Sequence, residues 1–348
     1  MKKYYLLQAL TEARKTKGQC APNPAVGTVI VKNNTIMATG YHHGPGFPHA
    51  EVDAIKKLTD QECEGADIYV SLEPCSHYGR TPPCADLLVE KKFKSVYFGY
   101  LDPNPLVAGK GVEKIKAAGI QCEHIKVPEI DKFYESYAYW TKTQRPFLTA
   151  KIAMSLDGKI ALAGGLPVKL TGAETDSYTH EQRRITDGIL STSKTVIRDN
   201  SKFNARTADG IHQKKVFLLD RQLVLPSTAE LLNTAESITL FHEEGAELNY
   251  CHDKLELVCC KKSKSGLNLN EVITYLGQQG LHDIWLEVGS RCLNGFLKAN
   301  LLNRLIIYLC PTLLGPEALD GFIAAHNLPK PSWQRLGSDI MAEFDLPI

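Results

Sequence analysis

Three side chains suited to a soft metal and one carboxylate fall within a short span of this chain: His49, Glu51, Cys75 and Cys84. An imidazole and two thiolates can fill three positions of a tetrahedral zinc. A catalytic zinc keeps the fourth position for water, whereas a structural one closes all four with protein. Glu51, two residues past His49, is placed to carry that water's protons. H-x-E followed by P-C-x-x-C is the pattern with which zinc enzymes attack an amine-bearing ring carbon. Here the pair Pro74-Cys75 is separated from Cys84 by residues 76–83, a wider gap than that pattern has.

The elements needed to position these groups alternate between helix and strand. Tyr4, Leu7, Ala9, Leu10 and Ala13 give residues 3–16 an amphipathic helical spacing. Ala25–Val31 reads as a buried strand, Asn33-Asn34 as a turn and Thr35–Gly40 as its hairpin partner. Residues 49–57 read as a helix with His49 and Glu51 in its first turn, and 67–72 as a strand ending at Glu73-Pro74-Cys75. Pro82-Pro83 suits the start of a further helix through Lys92, because a proline loses no hydrogen bond there. Cys84 then stands at a helix start, where the positive terminus favours thiolate. Strand 95–100, helix 109–118 and strand 120–125 complete an α/β arrangement. Cys20, Cys63, Cys122 and the C-terminal cysteines have no such neighbours and read as ordinary thiols.

Composition narrows the class. A length of 348 residues suggests two domains, and 43% hydrophobic with 23% charged residues suits globular units with full cores. The formal charge is +1, from 40 basic and 39 acidic residues, with no basic run that would track nucleic acid. A small-molecule substrate is expected, with no nucleic-acid and no membrane partner. The N-terminus lacks the apolar core of a signal peptide, and the ten cysteines follow no disulfide framework. A cytoplasmic protein is expected.

The string Leu72-Glu73-Pro74-Cys75-Ser76-His77-Tyr78-Gly79-Arg80-Thr81-Pro82-Pro83-Cys84 closely resembles the bifunctional deaminase–reductase family of riboflavin biosynthesis. Pro22-Asn23-Pro24-Ala25-Val26-Gly27, Gly40-Tyr41-His42 and Asp102-Pro103-Asn104-Pro105 resemble it too. The resemblance implies an N-terminal cytidine-deaminase-like three-layer domain over residues 1–144. It also implies deamination of 2,5-diamino-6-(ribosylamino)pyrimidinone 5′-phosphate. By carry-over, His49, Cys75 and Cys84 bind one Zn2+ per chain and Glu51 is the proton shuttle. Asn23, His42, His77, Arg80, Asp102 and Asn104 would contact substrate: Asn23 the pyrimidine edge, Arg80 the phosphate, Asp102 and Asn104 the ribose. For Asn23 and Asn104, turn formation beside proline is the competing reading.

The polar segment Thr141–Pro146 reads as a linker, and Phe147–Ala153 as a new strand. Met154-Ser155-Leu156-Asp157-Gly158-Lys159 resembles the opening of the same family's reductase domain, which implies a dihydrofolate-reductase-like α/β fold over residues 147–348 and the use of NADPH. Thr195-Val196-Ile197-Arg198-Asp199-Asn200, Phe203–Arg206, Glu287-Val288-Gly289-Ser290 and Pro311-Thr312-Leu313-Leu314-Gly315 extend the likeness. It implies catalytic parts for Lys151, Asp199 and Glu287, and substrate contacts for Arg183 and Arg206, with Arg184 as an alternative to Arg183. Ala153, Thr195, Asp199 and Gly289 would contact the cofactor. A homo-oligomer is expected. Lys169, Pro167, Thr175-Asp176, Ser201, Val288 and Ser290 depart from the family's pattern. They keep open a rival in which the second half is an inert oligomerisation scaffold.

Overall fold

Ile68, Tyr69 and Val70 are all buried, so this strand has both faces covered and must lie inside a layered structure. The computed structural model describes residues 1–76, 83–104, 109–263 and 266–347. The chain divides into two units, Met1–Gln144 and Arg145–Ile348.

In the first unit α1 (Lys2–Arg14) lays Tyr5, Leu6, Ala9, Leu10 and Ala13 on a five-stranded sheet. Strands β1 (Gly27–Lys32) and β2 (Thr35–Tyr41) form an antiparallel hairpin. Asn33 and Asn34 both take positive φ at its turn, the conformation that matches strand twist. Short helices α2 (Ala50–Ile55) and α3 (Asp60–Cys63) lead to β3 (Asp67–Val70), antiparallel to β1. Then α4 (Cys84–Glu90), β4 (Ser95–Phe98), α5 (Lys110–Ala117) and β5 (Gln121–His124) add two parallel strands. The order is β2-β1-β3-β4-β5. Ile68 and Val70 face a core closed by α2, α4 and α5. Tyr69 faces the opposite core, under α1 and the last helix α6 (Pro128–Thr143). The three-layer expectation for this half is met.

Thr141–Pro146 is not a free linker, for α6 continues through Thr143. The hydroxyls of Thr141 and Thr143 donate to the carbonyls of Tyr137 and Tyr139, so polar side chains sit within the helix without competing for its ladder. Gln144 ends it with a left-handed φ of 56°.

Gly27 lies where α1 crosses β1. A Cβ there would drive into the Ala9 carbonyl oxygen and the Ala13 nitrogen, backbone atoms that cannot swing aside. Gly27→Ala is therefore expected to destabilise the first unit by about 1–3 kcal/mol, read as an earlier thermal transition of the full chain. An unchanged transition would show that the helix can lift without cost.

The second unit begins with β6 (Phe147–Ser155) and β7 (Lys159–Ala161), then α7 (Ala173–Ile185), β8 (Gly188–Thr192) and α8 (Ser193–Asp199). Residues 209–269, which carry no motif, nonetheless supply edge structure. After β9 (Ala205–Thr207) come β10 (Gly210–His212), β11 (Lys215–Leu219), α9 (Leu231–Thr234), β12 (Ser237–His242) and β13 (Leu255–Cys259). A small pair, β14 (Lys262–Ser263) and β15 (Gly266–Leu267), precedes α10 (Leu269–Gln278), β16 (Asp283–Glu287), α11 (Ser290–Lys298) and β17 (Arg304–Cys310). The chain closes with β18 (Leu319–Asp320), β19 (Ser332–Leu336) and β20 (Asp339–Asp345). Nine strands form one sheet, ordered β13-β12-β11-β8-β16-β6-β17-β20-β19. Seven run parallel, and β20 and β19 close one edge antiparallel. In such sheets ligands bind beyond the carboxyl ends of central strands; the candidate Glu287 ends β16, and the candidate Thr195 lies three residues past the end of β8.

Candidate active site

His49 caps the start of α2, Cys75 follows β3 and Cys84 opens α4. The Ala85 amide donates to the Cys75 carbonyl at 3.1 Å, which draws the loop end onto the helix start. His49 Nδ1 then lies 3.3 Å from Cys84 Sγ and 3.5 Å from Cys75 Sγ. All three donor atoms fall within 4.8 Å of one another. One nitrogen and two sulfurs, with no fourth described protein donor in the group, match the open tetrahedral set of a catalytic zinc.

The protein groups by themselves share protons. The hydrogen bond with Cys75 raises His49 to about 9, against the opposing effect of burial. Cys75 is the thiol held down, first by its bond with Cys84 and then, against desolvation, by His49. Cys84 is held well above the ordinary thiol value by the same pairing and by burial. A cation bound here would displace these protons. Glu51 is 3% exposed on α2, and burial, then the charge of Cys75, raises it to about 6.

His42 packs edge-on against His49, with ring centroids 5.6 Å apart. Its Nδ1 meets the Pro48 carbonyl at 3.0 Å, so the proton sits there and Nε2 accepts from Asn23 Nδ2 at 3.1 Å. Burial lowers the His42 pKa and keeps the ring neutral. Asn23, His42 and His49 are thus brought into one row. Asp102 and Asn104 lie on the loop after β4, where Asp102 Oδ1 accepts from the Asn104 amide at 2.9 Å and from Tyr137 Oη at 3.4 Å. His77 and Arg80 lie outside the described residues.

Sequence reasoning missed Glu73. Its buried carboxylate accepts from the Asp102 and Gly109 amides at 3.3 and 2.8 Å, tying the loop after β4 to the one carrying Cys75. The available signal was a carboxylate directly after the buried residues 68–72, where an unpaired charge is costly.

In the second unit Glu287 pairs in register with Lys151 across β16 and β6. Its carboxylate accepts from Arg183 Nε and Nη2 at 2.6 and 3.0 Å, from Trp285 Nε1 at 2.9 Å and from Lys151 Nζ at 3.3 Å. Burial alone would raise its pKa, but Arg183 and Lys151 hold it well below the usual carboxylate range. Arg184 binds Glu181 instead. Arg183, Asp199 and Arg206 line a cleft of about 660 Å³ together with Ser201, Phe203 and Asn204. Lys151, Ala153, Thr195, Glu287 and Gly289 are not in its walls. Thr195 lies in the first turn of α8, where its amide donates to the Thr192 Oγ1 cap at 3.2 Å. Gly289 caps α11, and a Cβ added there would meet nothing within 4 Å.

Two departures from the family's pattern meet each other. Lys169 Nζ donates to Asp176 Oδ2 at 2.5 Å, and Thr171 donates to the other oxygen at 2.6 Å. Asp157 carries a structural part that spacing did not reveal. It accepts the amides of Leu314 and Gly315, fastening the segment after β6 to the P-x-L-L-G turn.

A three-layer unit with a His-Cys-Cys donor set and a buried carboxylate, followed by a parallel-sheet unit, defines a two-unit α/β protein with the donor set of a catalytic zinc site. Residues 1–100 match the cytidine and deoxycytidylate deaminase zinc-binding region, and residues 146–342 match the RibD C-terminal domain. The chain is 34% identical to the riboflavin biosynthesis protein RibD of Aquifex aeolicus over 98% of each chain. It is similar to the structure of Acinetobacter baumannii RibD, at 32% identity and a TM-score of 0.86, covering 99% of this chain and 98% of that one. A diaminohydroxyphosphoribosylaminopyrimidine deaminase/5-amino-6-(5-phosphoribosylamino)uracil reductase from Thermotoga maritima is similar at 30% identity and a TM-score of 0.86, with the same coverage. The chain belongs to the RibD family of riboflavin biosynthesis proteins. It is a bifunctional enzyme, a deaminase and a reductase, with zinc and NADPH as cofactors. It acts on a small molecule, and no helix among the described residues is long and apolar enough to cross a membrane.

Proposed function

We propose that residues 1–144 deaminate 2,5-diamino-6-(ribosylamino)pyrimidinone 5′-phosphate and that residues 147–348 reduce the product's ribosyl group to ribityl. The observation that carries the first step is the convergence of His49, Cys75 and Cys84 beside buried Glu51. These three hold the zinc, which when bound makes a water acidic enough to serve as nucleophile near neutral pH. Glu51 takes the water's proton and passes it to the leaving amine, which departs as ammonia. Asn23, its amide oriented by the ring of His42, meets the pyrimidine edge with Oδ1 and its second Nδ2 hydrogen, and His42 lines the pocket beside it. His77, Arg80, Asp102 and Asn104 are assigned to the rest of the substrate.

For the second step NADPH supplies the hydride to C1′. As the C1′–O4′ bond of the ribose opens, Lys151, held by Glu287, gives a proton to the departing O4′. Arg183 is fixed by the same carboxylate, so the part of Glu287 is to aim two cations. Arg206 takes the substrate's anionic end, while Ala153, Thr195, Asp199 and the open turn at Gly289 receive the cofactor. A helix start such as that of α11 favours phosphate. The Lys169–Asp176 pair supports adaptation over decay, because two unusual residues satisfy each other. The ten free cysteines fit a reducing cytoplasm, and exposed Trp333 and Ile340 on the outer strands offer a second copy an apolar edge.

The test is Cys75→Ser in the full chain. Zinc content is expected to fall from about one per chain to near zero, with ammonia release lost and NADPH oxidation on the deaminated product retained. A variant that keeps zinc and ammonia release would overturn the ligand assignment.

A further inference from the structure

Arg183 and Arg206 share the cleft of the second unit, but their charges stand differently. Arg183 is committed: Nε and Nη2 donate to Glu287 and Nη1 donates to the Asn204 carbonyl at 3.2 Å. Arg206 makes no ion pair with a carboxylate among the described residues. It is exposed, and a free arginine side chain would spread over many rotamers, losing orientation entropy on binding.

Two neighbours restrain it. Arg206 Nη1 donates to Asn204 Oδ1 at 2.8 Å, and the Arg206 amide donates to His180 Nδ1 at 3.2 Å. Asn204 is 5% exposed, so its side chain is itself fixed by packing. It touches both arginines, one through its carbonyl and one through its amide oxygen, and thereby sets their separation. His180 lies on α7 one turn before Arg183, so one helix carries the body of one arginine and the brace of the other. Accepting at Nδ1 leaves the ring proton on Nε2. Burial, then the charges of Arg183 and Arg206, lower the His180 pKa to about 4, so the acceptor persists at neutral pH. With Nη1 engaged, the Nε–Nη2 edge of Arg206 is left for two parallel bonds to an anion.

We propose that Asn204 and His180 are positioning residues that hold the Nε–Nη2 edge of Arg206 toward a phosphate monoester in the cleft. This rests on the reading above that Arg206 takes the anionic end of the reductase substrate.

The test follows NADPH oxidation by the full-length enzyme on the phosphorylated deaminated product, with Arg206→Ala, Asn204→Ala, His180→Leu and His180→Asn. An asparagine at 180 places an oxygen near the position of Nδ1. Losing a hydrogen bond to a charged group should raise the substrate KM about tenfold or more in Arg206→Ala and Asn204→Ala, and losing the neutral bond to the Arg206 amide should raise it about threefold or more in His180→Leu. The KM for NADPH is expected to stay put, and His180→Asn to recover most of the loss. Inhibition by inorganic phosphate should weaken in parallel. If Arg206→Ala raises KM while Asn204→Ala and His180→Leu do not, the positioning inference is overturned and the reading of the cleft stands. If Arg206→Ala leaves KM unchanged, that reading fails and the inference with it. A loss confined to kcat or to NADPH binding, unrescued by His180→Asn, marks a merely structural role and also overturns it.

Discussion

Glu51→Gln is expected to cut ammonia release by about a thousandfold, the scale of general acid–base catalysis, while zinc content stays near one per chain. The substitution keeps size and shape at a site that is 3% exposed, so the packing of α2 is preserved. What is lost is a group that can both accept and return a proton. The ligand atoms nearest one another are those of His49, Cys75 and Cys84, and the carboxylate is not in that set. Loss of metal with partial activity would instead make Glu51 a ligand and refute the shuttle. Oxidation of NADPH on the already deaminated product should be unaffected, which separates this variant from a misfolded chain.

Glu287→Ala is expected to destabilise the second unit by about 3–5 kcal/mol, because removing one partner of a buried ion pair strands the other. Here two cations are stranded, Arg183 and Lys151, with side chains only 14% and 18% exposed. Glu287→Gln keeps the shape and should still bind NADPH, yet lose NADPH oxidation, because neither cation is held by charge. Calorimetric unfolding of the first variant and turnover of the second are the measurements. Turnover near that of the parent in Glu287→Gln would show that the two cations orient themselves. The pH dependence has a definite sign. The carboxylate's pKa is depressed in the folded unit. Its stabilisation is therefore fully present above the unfolded value of about 4.3 and is lost progressively as pH falls below it.

How much of this was legible in the chain depends on the distance over which each contact acts. His49 and Glu51 are a local pattern, and Cys75 and Cys84 flank one loop, so residue type and spacing sufficed to nominate all four. The helix and strand order of the first half followed from periods of 3.6 and 2, which are likewise local. The polar run 141–146 misled because helix hydroxyls can bond their own backbone, which composition does not reveal. Contacts that join distant positions were decided by the fold. Glu73 reaches the loop after β4, and Arg183 rather than Arg184 reaches Glu287 across 104 positions. Lys169 and Asp176 looked like separate departures until the turn into α7 set them side by side. Asn204 was an ordinary polar residue until β9 and α7 placed it between two arginines. Residue type and local spacing named the chemistry's reagents and the elements that carry them. Which charges are spent on each other and which remain for a ligand was decided only by tertiary structure, since pairing depends on separations in space that no local period encodes.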